Sequence, residues 1–288
     1  MNLFKEILRG ILIGVANIIP GVSGGTMAVS MGIYDKMIYA INHIRTEFKR
    51  SVLTLLPYGI GMGLGIGLLS FVISFLFEVY PYQTSMAFIG LILGGVPAIW
   101  KRVKESARGN SPQGAFHYVL LIIFFVGILL LEILGGGKER MAVLEPSLAM
   151  CGILFLVGIL ASATMVIPGV SGSMLLMLLG FYTPILEQIK GFIKSALGLD
   201  IPKAWDAAIL LIPFGIGVIV GIVLIAKLIG FLLKRFQSYT YMGILGLVFA
   251  SPIVVFLQMG DQRIGLLSGV IGVLCLALGY LVAERMAD

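Results

Sequence analysis

The residues best suited to chemistry occur twice. Ser23 and Thr26 follow Pro20-Gly21-Val22 and bracket Gly24 and Gly25, while Ser171 and Ser173 follow Pro168-Gly169-Val170 and bracket Gly172. Proline followed by glycine ends a helix, and a serine just beyond can cap the next one. A helix opening at Ser23 or Ser171 presents backbone N–H groups without intrahelical partners, and its dipole favours negative charge. The glycines let an oxygen-rich ligand reach the backbone, and the hydroxyls of Ser23, Thr26, Ser171 and Ser173 add donors. The chemistry implied is anion binding, phosphate foremost. A blander reading stands beside it, since Pro-Gly plus Ser-Gly also makes a tight turn between packed membrane helices. No Gly-Lys-Ser or Gly-Lys-Thr follows either copy, which excludes a nucleotide loop.

The elements that must hold these residues are apolar. The chain is 59% hydrophobic and 12% charged, with a mean hydropathy of +1.08. That is more apolar surface than one soluble core of 288 residues hides. An all-α integral membrane protein is expected, and a break inside an apolar run needs a use for the backbone groups it frees. The net charge of +6 comes from short basic clusters between apolar runs, not from one continuous face, which argues against a nucleic-acid partner. Cys151 and Cys275 sit in apolar stretches and suggest no disulfide, metal or cofactor. Lys5 and Arg9 ahead of Ile11-Leu12-Ile13 resemble the start of a signal peptide, but the same pattern recurs downstream, so the segment is read as retained.

That recurrence extends well beyond the motif. Pro20 and Pro168 align at a spacing of 148, as do Gly32-Ile33-Tyr34 and Gly180-Phe181-Tyr182. Pro57-Tyr58-Gly59-Ile60-Gly61 then matches Pro213-Phe214-Gly215-Ile216-Gly217 at 156, so the second copy gains eight residues, expected in a loop from Gly191 to Pro202. Two repeats are read, residues 1–144 and 145–288, forming one membrane domain. Each has a broken apolar stretch, Leu3 to Ile41 or Ser147 to Ile189, followed by three unbroken ones. These are Val52 to Phe77, Thr84 to Trp100 and Phe116 to Leu134, then Ala207 to Leu233, Tyr239 to Gln258 and Ile264 to Val282.

A broken stretch either crosses the membrane or returns to its own side. If both return, the lysines and arginines divide fourteen against six; if both cross, twelve against eight. The first division fits the positive-inside rule better and puts both termini in the cytoplasm. A re-entrant hairpin plus three crossings inverts the second repeat relative to the first. The hairpins then enter from opposite sides, and their tips can meet near the midplane, as alternating access requires.

Several other residues carry candidate roles. Asn17 precedes the first break and aligns with Met165, so it either reads a ligand or satisfies freed carbonyls. Lys227 lies deepest in an unbroken stretch; it snorkels to the cytoplasmic surface or serves as counter-charge to an anionic headgroup, and Arg9 has the same two readings. Asp35 and Glu187, close to Tyr34 and Tyr182, are candidates to carry a coupling proton, although exposed loop ends account for both more readily. The pairs Gly10 and Gly14, Gly61 and Gly65, and Gly217 and Gly221 read as close helix packing.

The doubled Pro-Gly-Val-Ser-Gly with its downstream Gly-Ile-Tyr and Gly-Phe-Tyr resembles the polyprenyl-phosphate transporter (PopT) family, formerly a domain of unknown function. The resemblance covers essentially the whole chain. It implies a multi-pass flippase in the cytoplasmic membrane of a prokaryote, returning undecaprenyl phosphate for reuse as a carrier in cell-envelope synthesis. The partners implied are polyprenyl phosphate, the bilayer and a coupling ion, H+ or Na+; a homo-oligomer is compatible with it. By position, the family's motif residues are Pro20, Gly21, Ser23, Gly24, Gly25 and Thr26, and Pro168, Gly169, Ser171, Gly172 and Ser173. Gly25-Thr26 against Ser173-Met174 leaves open whether both copies touch phosphate equally. From the residues alone, a transporter or channel for a small soluble anion ranks first or equal; beside the resemblance it is the main alternative. A membrane lipid phosphatase fits less well, because His43 and His117 lie far from the breaks in sequence.

Overall fold

The computed structural model describes residues 3–18, 22–110, 114–135, 141–259 and 264–287, in which the secondary structure is entirely helical. Pro20 and Gly21 fall outside these residues, as do Lys138, Arg140 and Arg263. The helices are α1 (Leu3–Ile18), α2 (Gly24–Ser30), α3 (Tyr34–Asn42), α4 (Phe48–Val79), α5 (Pro81–Gly94), α6 (Val96–Asn110) and α7 (Ala115–Gly135). They continue as α8 (Leu148–Val166), α9 (Gly172–Leu178), α10 (Tyr182–Leu197), α11 (Ile201–Arg235), α12 (Gln237–Gln258) and α13 (Leu266–Ala287). Among the described residues seven stretches are long and apolar enough to cross a membrane, and α9 with α10 forms one further pair bent by 110°. The chain is an all-α, multi-pass integral membrane protein.

Burial separates the spans. Of the apolar window in α12, 67% is buried, against 11% in α7, so α12 runs through the centre and α7 along the lipid-facing edge. α1 is too short to span alone, since its 16 residues cover about 24 Å against a hydrocarbon core of about 30 Å.

Both breaks fold alike. Ser23 and Ser171 N-cap seven-residue helices, α2 and α9. Each short helix ends on a glycine in the left-handed region, Gly32 at φ 66° and Gly180 at φ 78°. The amides beyond close the helix ends in matching fashion, Ile33 N–H to Ala28 O at 3.0 Å and Phe181 N–H to Leu176 O at 2.8 Å. This is the six-to-one bond of a Schellman stop, which needs a residue free to adopt positive φ. Each broken segment also makes a contact between its two ends. Lys36 at the start of α3 pairs with Glu6 of α1 at 2.9 Å, and Gly180 O accepts from Ala142 N–H ahead of α8 at 2.9 Å.

The helix pairs match as well. α1 packs on α4 as α8 packs on α11, and α5 packs on α13 as α12 packs on α7. A Cβ at Gly61 would stand 2.2 Å from Ile7 O, and one at Gly217 would stand 2.1 Å from Phe155 O. The small residues therefore set the approach of α4 to α1 and of α11 to α8, as the glycine spacing suggests.

Two sequence expectations change. The eight extra residues are helical for the most part: α10 has 16 residues where α3 has nine, and the non-helical connection to α11 is only Gly198 to Asp200. The stretch from Thr84 to Trp100 is also not one helix, because α5 and α6 divide at Gly95. Pro97 has no amide to continue the ladder. The end of α2 presses into the division, with Ser30 Cα 2.1 Å from a Cβ built on Gly95 and Ser30 Oγ donating to Ile92 O at 3.3 Å.

Candidate functional site

The two breaks meet. Gly169, at φ 83°, donates its backbone N–H to Thr26 Oγ1 at 2.7 Å. Tyr34 Oη donates to Val166 O at 3.0 Å, using a carbonyl in the last turn of α8. Gly25 lies so close to this turn that a Cβ would stand 3.1 Å from both Met165 O and Val166 O. Residues 143 positions apart are thus joined through one threonine hydroxyl that is 0% exposed.

Within the first copy, Ser23 Oγ accepts from Thr26 N–H at 3.2 Å, and Asn17 Oδ1 accepts from Gly24 N–H at 3.0 Å. Asn17 thereby serves a freed amide and not a freed carbonyl. Within the second copy, Ser171 Oγ lies 2.9 Å from Ser173 Oγ and 3.5 Å from Met174 N. The copies differ in their surroundings. Every residue of α2 is buried and none of α9 is. Met174 occupies the position of Thr26 and has no hydroxyl to make the reciprocal bond, so the one-sided link follows from a one-residue difference.

Asn17, Ser23, Gly24, Gly25 and Thr26 therefore gather with Pro168 and Gly169, and Ser171, Gly172 and Ser173 continue directly from them. The other candidates stand apart. Arg9 lies about two turns down α1 from Asn17. It pairs with Glu6 at 3.4 Å and donates to Met286 O near the end of α13. Tyr58 Oη donates to the same glutamate, which also holds Lys36. Lys227 and Glu187 are exposed on α11 and α10. Asp35 accepts from Tyr241 Oη on α12, and its Oδ2 lies 3.9 Å from Arg102 Nε on α6.

An apolar groove of about 570 Å³ adjoins the second copy, with Ile167 and Pro168 in its wall beside Phe124, Leu228, Leu232 and Leu247. It follows α12 from Tyr239 to Leu247, whose carbonyl lies against Gly169. The sequence does not single out this groove, Tyr34, Arg102 or the Glu6 cluster. Arg102 belongs to an ordinary-looking basic run, and a groove in an apolar chain has no compositional mark.

A family model described as undecaprenyl phosphate translocase-like matches residues 13–264. The chain belongs to this family. It is 31% identical over 295 residues to a polyprenyl-phosphate transporter of Staphylococcus aureus, covering 99% of this chain and 100% of the relative. It is 28% identical over 262 residues to a polyprenyl-phosphate transporter of Vibrio cholerae, covering 86% of this chain and 76% of that one. No solved structure is significantly similar. The names of the undecaprenyl phosphate translocase-like family and of both relatives are those of transporters, not enzymes.

Proposed function

We propose that this protein is a flippase that returns undecaprenyl or a related polyprenyl phosphate across the cytoplasmic membrane, for reuse as a lipid carrier in cell-envelope synthesis. The observation that carries the reading is the junction of the two breaks at Thr26 and Gly169, beside an apolar groove walled by Pro168. A phosphate loses its water on entering hydrocarbon, at a cost that only oriented donors offset. The hydroxyls and amides around Ser23, Thr26, Ser171 and Ser173 are suited to replace that water, together with Asn17, Pro20, Gly21, Gly24, Gly25, Pro168, Gly169 and Gly172. The prenyl chain needs only an apolar path at the side, which the groove supplies.

The matched contacts of α1 with α4 and of α8 with α11 support two repeats, 1–144 and 145–288. The return contacts at Glu6–Lys36 and Ala142–Gly180 support a re-entrant hairpin in each. Together with the fourteen-to-six division of basic residues, this supports cytoplasmic termini and an inverted second repeat. The full burial of α2 and the half-buried state of α9 are compatible with one end of an alternating-access cycle, closed around the first hairpin and looser around the second. Asp35, with its two partners, suits a coupling proton better than the exposed Glu187.

The test is movement of labelled undecaprenyl phosphate in proteoliposomes by the parent protein and by Ser23→Ala plus Ser171→Ala, with inorganic phosphate as competitor. A fall of about tenfold or more is expected, from the loss of hydrogen bonds to a charged group. Uptake of inorganic phosphate without lipid movement would instead make the protein a soluble-anion transporter.

A further inference from the structure

Away from the two breaks, Asp35, Arg102 and Tyr241 line a small cavity of about 40 Å³ between α3, α6 and α12, and the same three residues line a larger recess of about 560 Å³. Tyr39, Asn42, His43, Lys234 and Gln237 complete the polar wall of the larger space. The pair at its centre is unfinished. Arg102 Nε stands 3.9 Å from Asp35 Oδ2, beyond hydrogen-bond range, and Tyr241 already donates to that oxygen. Asp35 Oδ1 is buried without a partner. A guanidinium has five donors in a planar fork that matches a phosphate, and Arg102 shares the lining of the recess with a second cation, Lys234.

The apolar groove lies next door. Ile244 lines both the small Asp35–Arg102–Tyr241 cavity and the groove that runs to Pro168. One isoleucine side chain therefore separates the groove from the small cavity, whose Asp35, Arg102 and Tyr241 also wall the larger cationic recess, an arrangement suited to an amphiphile with an anionic head and a hydrocarbon tail. Neither space alone would select such a molecule: the recess would accept free phosphate, and the groove any lipid chain.

Building on the flippase reading, we propose that this recess is a second headgroup station, in which Arg102 binds the phosphate monoester of a prenyl lipid whose first isoprene units lie past Ile244 in the groove. Asp35 competes with the phosphate for Arg102, and Tyr241 holds the carboxylate in place. The station lies among the basic residues that the charge division assigns to the cytoplasmic side, so it serves entry or release at that leaflet and not the crossing itself.

The competition gives opposite signs for two substitutions of neighbouring residues, which a purely structural ion pair would not. The measurement is equilibrium binding of a fluorescent polyprenyl monophosphate to the full chain in lipid nanodiscs, with transport followed in parallel. Arg102→Gln is expected to weaken binding about tenfold, Arg102→Lys to recover part of the loss, and Asp35→Asn to tighten binding severalfold. Ile244→Trp, which thickens the partition, is expected to weaken binding of the lipid. Unphosphorylated polyprenol should compete poorly and inorganic phosphate should not reach the affinity of the lipid. Equal competition by inorganic phosphate would make the recess a free-anion site and overturn the proposal. So would a matched loss in Arg102→Gln and Asp35→Asn. If Arg102→Gln binds and transports as the parent does while Ser23→Ala plus Ser171→Ala does not transport, the station falls and the flippase reading stands. If the serine variant transports normally while the Arg102 and Asp35 variants shift as expected, the role given to the breaks falls instead.

Discussion

The Gly169 amide and the Thr26 hydroxyl, 2.7 Å apart, are the polar contact by which one helix break holds the other. Both residues lie where a helix has been interrupted, and interruption in an apolar medium leaves backbone groups that must be satisfied from within the protein. Thr26 does this for Gly169, Asn17 for Gly24, and Tyr34 for Val166. Three of the groups freed by the breaks are thus spent on the other break or on a flank. On the proposed reading, a ligand that enters trades places with these bonds and so loosens one break from the other.

Thr26→Val keeps the shape of the side chain and removes the acceptor. Gly169 N–H would be left buried and unpaired, a loss of about 1–3 kcal/mol. Thermal unfolding in detergent should shift down by several degrees for Thr26→Val and little for Thr26→Ser. An unchanged midpoint for Thr26→Val would mean that the bond contributes nothing.

The helix contacts predict a contrast among glycines of one helix. Gly61 has no room for a methyl group beside Ile7 O, whereas Gly59 and Gly63 face open space. Gly61→Ala should force α1 and α4 apart and destabilise the protein by about 1–3 kcal/mol, the usual cost of overpacking. Gly59→Ala and Gly63→Ala should be neutral or slightly stabilising, because alanine favours the helix. Expression and melting of the three variants side by side decide the matter.

Glu6 is the hub of a buried cluster, accepting from Tyr58 and pairing with Arg9 and Lys36. Arg9 in turn grips the carbonyl of Met286. Glu6→Ala would leave the Arg9 guanidinium, with only 11% of its side chain exposed, without its carboxylate. Losing one partner of a buried pair costs about 3–5 kcal/mol. The end of α13 should then fray, and faster hydrogen exchange around Met286 is the expected readout. Protection there equal to the parent would show that α13 is held by other contacts.

How much of this could be read from the chain depends on whether the signal was local. The breaks, their serine caps and the glycine seams are short-range patterns, and Ser23, Ser171, Gly61 and Gly217 behave as their neighbours in sequence suggest. Gly95 was harder, because a Gly-Gly followed by Pro97 inside an apolar run reads as tolerable until Ser30 is seen wedged against it. The extra residues of the second repeat joined α10 because nothing in Ile189 to Leu197 stops a helix before Gly198. The contacts of Arg102 and Thr26 were opaque for another reason. Their partners, Asp35 and Gly169, are distant in sequence, and no periodicity announces a contact made by tertiary packing.

The proposed return of each broken segment to its own side gives the last prediction. Gly180 O accepts from Ala142 N–H, which puts the turn after α9 level with the chain entering α8. From that turn α10 runs on to Leu197, bent by 110° from α9, a bend that lets it lie along the surface and not cross. Met141, ahead of α8, and Leu199, beyond α10, are both exposed. If the segment is re-entrant, they face the same aqueous compartment; if it crosses, they face opposite ones. Cysteines introduced one at a time at these positions, in a chain whose Cys151 and Cys275 have been replaced by alanine, should react with an impermeant maleimide from outside intact cells. Labelling of Met141→Cys from outside with Leu199→Cys protected until the cells are opened would show that the second segment spans the bilayer. The second repeat would then not be the inverted counterpart of a re-entrant first one, and tips meeting at the midplane would lose their topological basis.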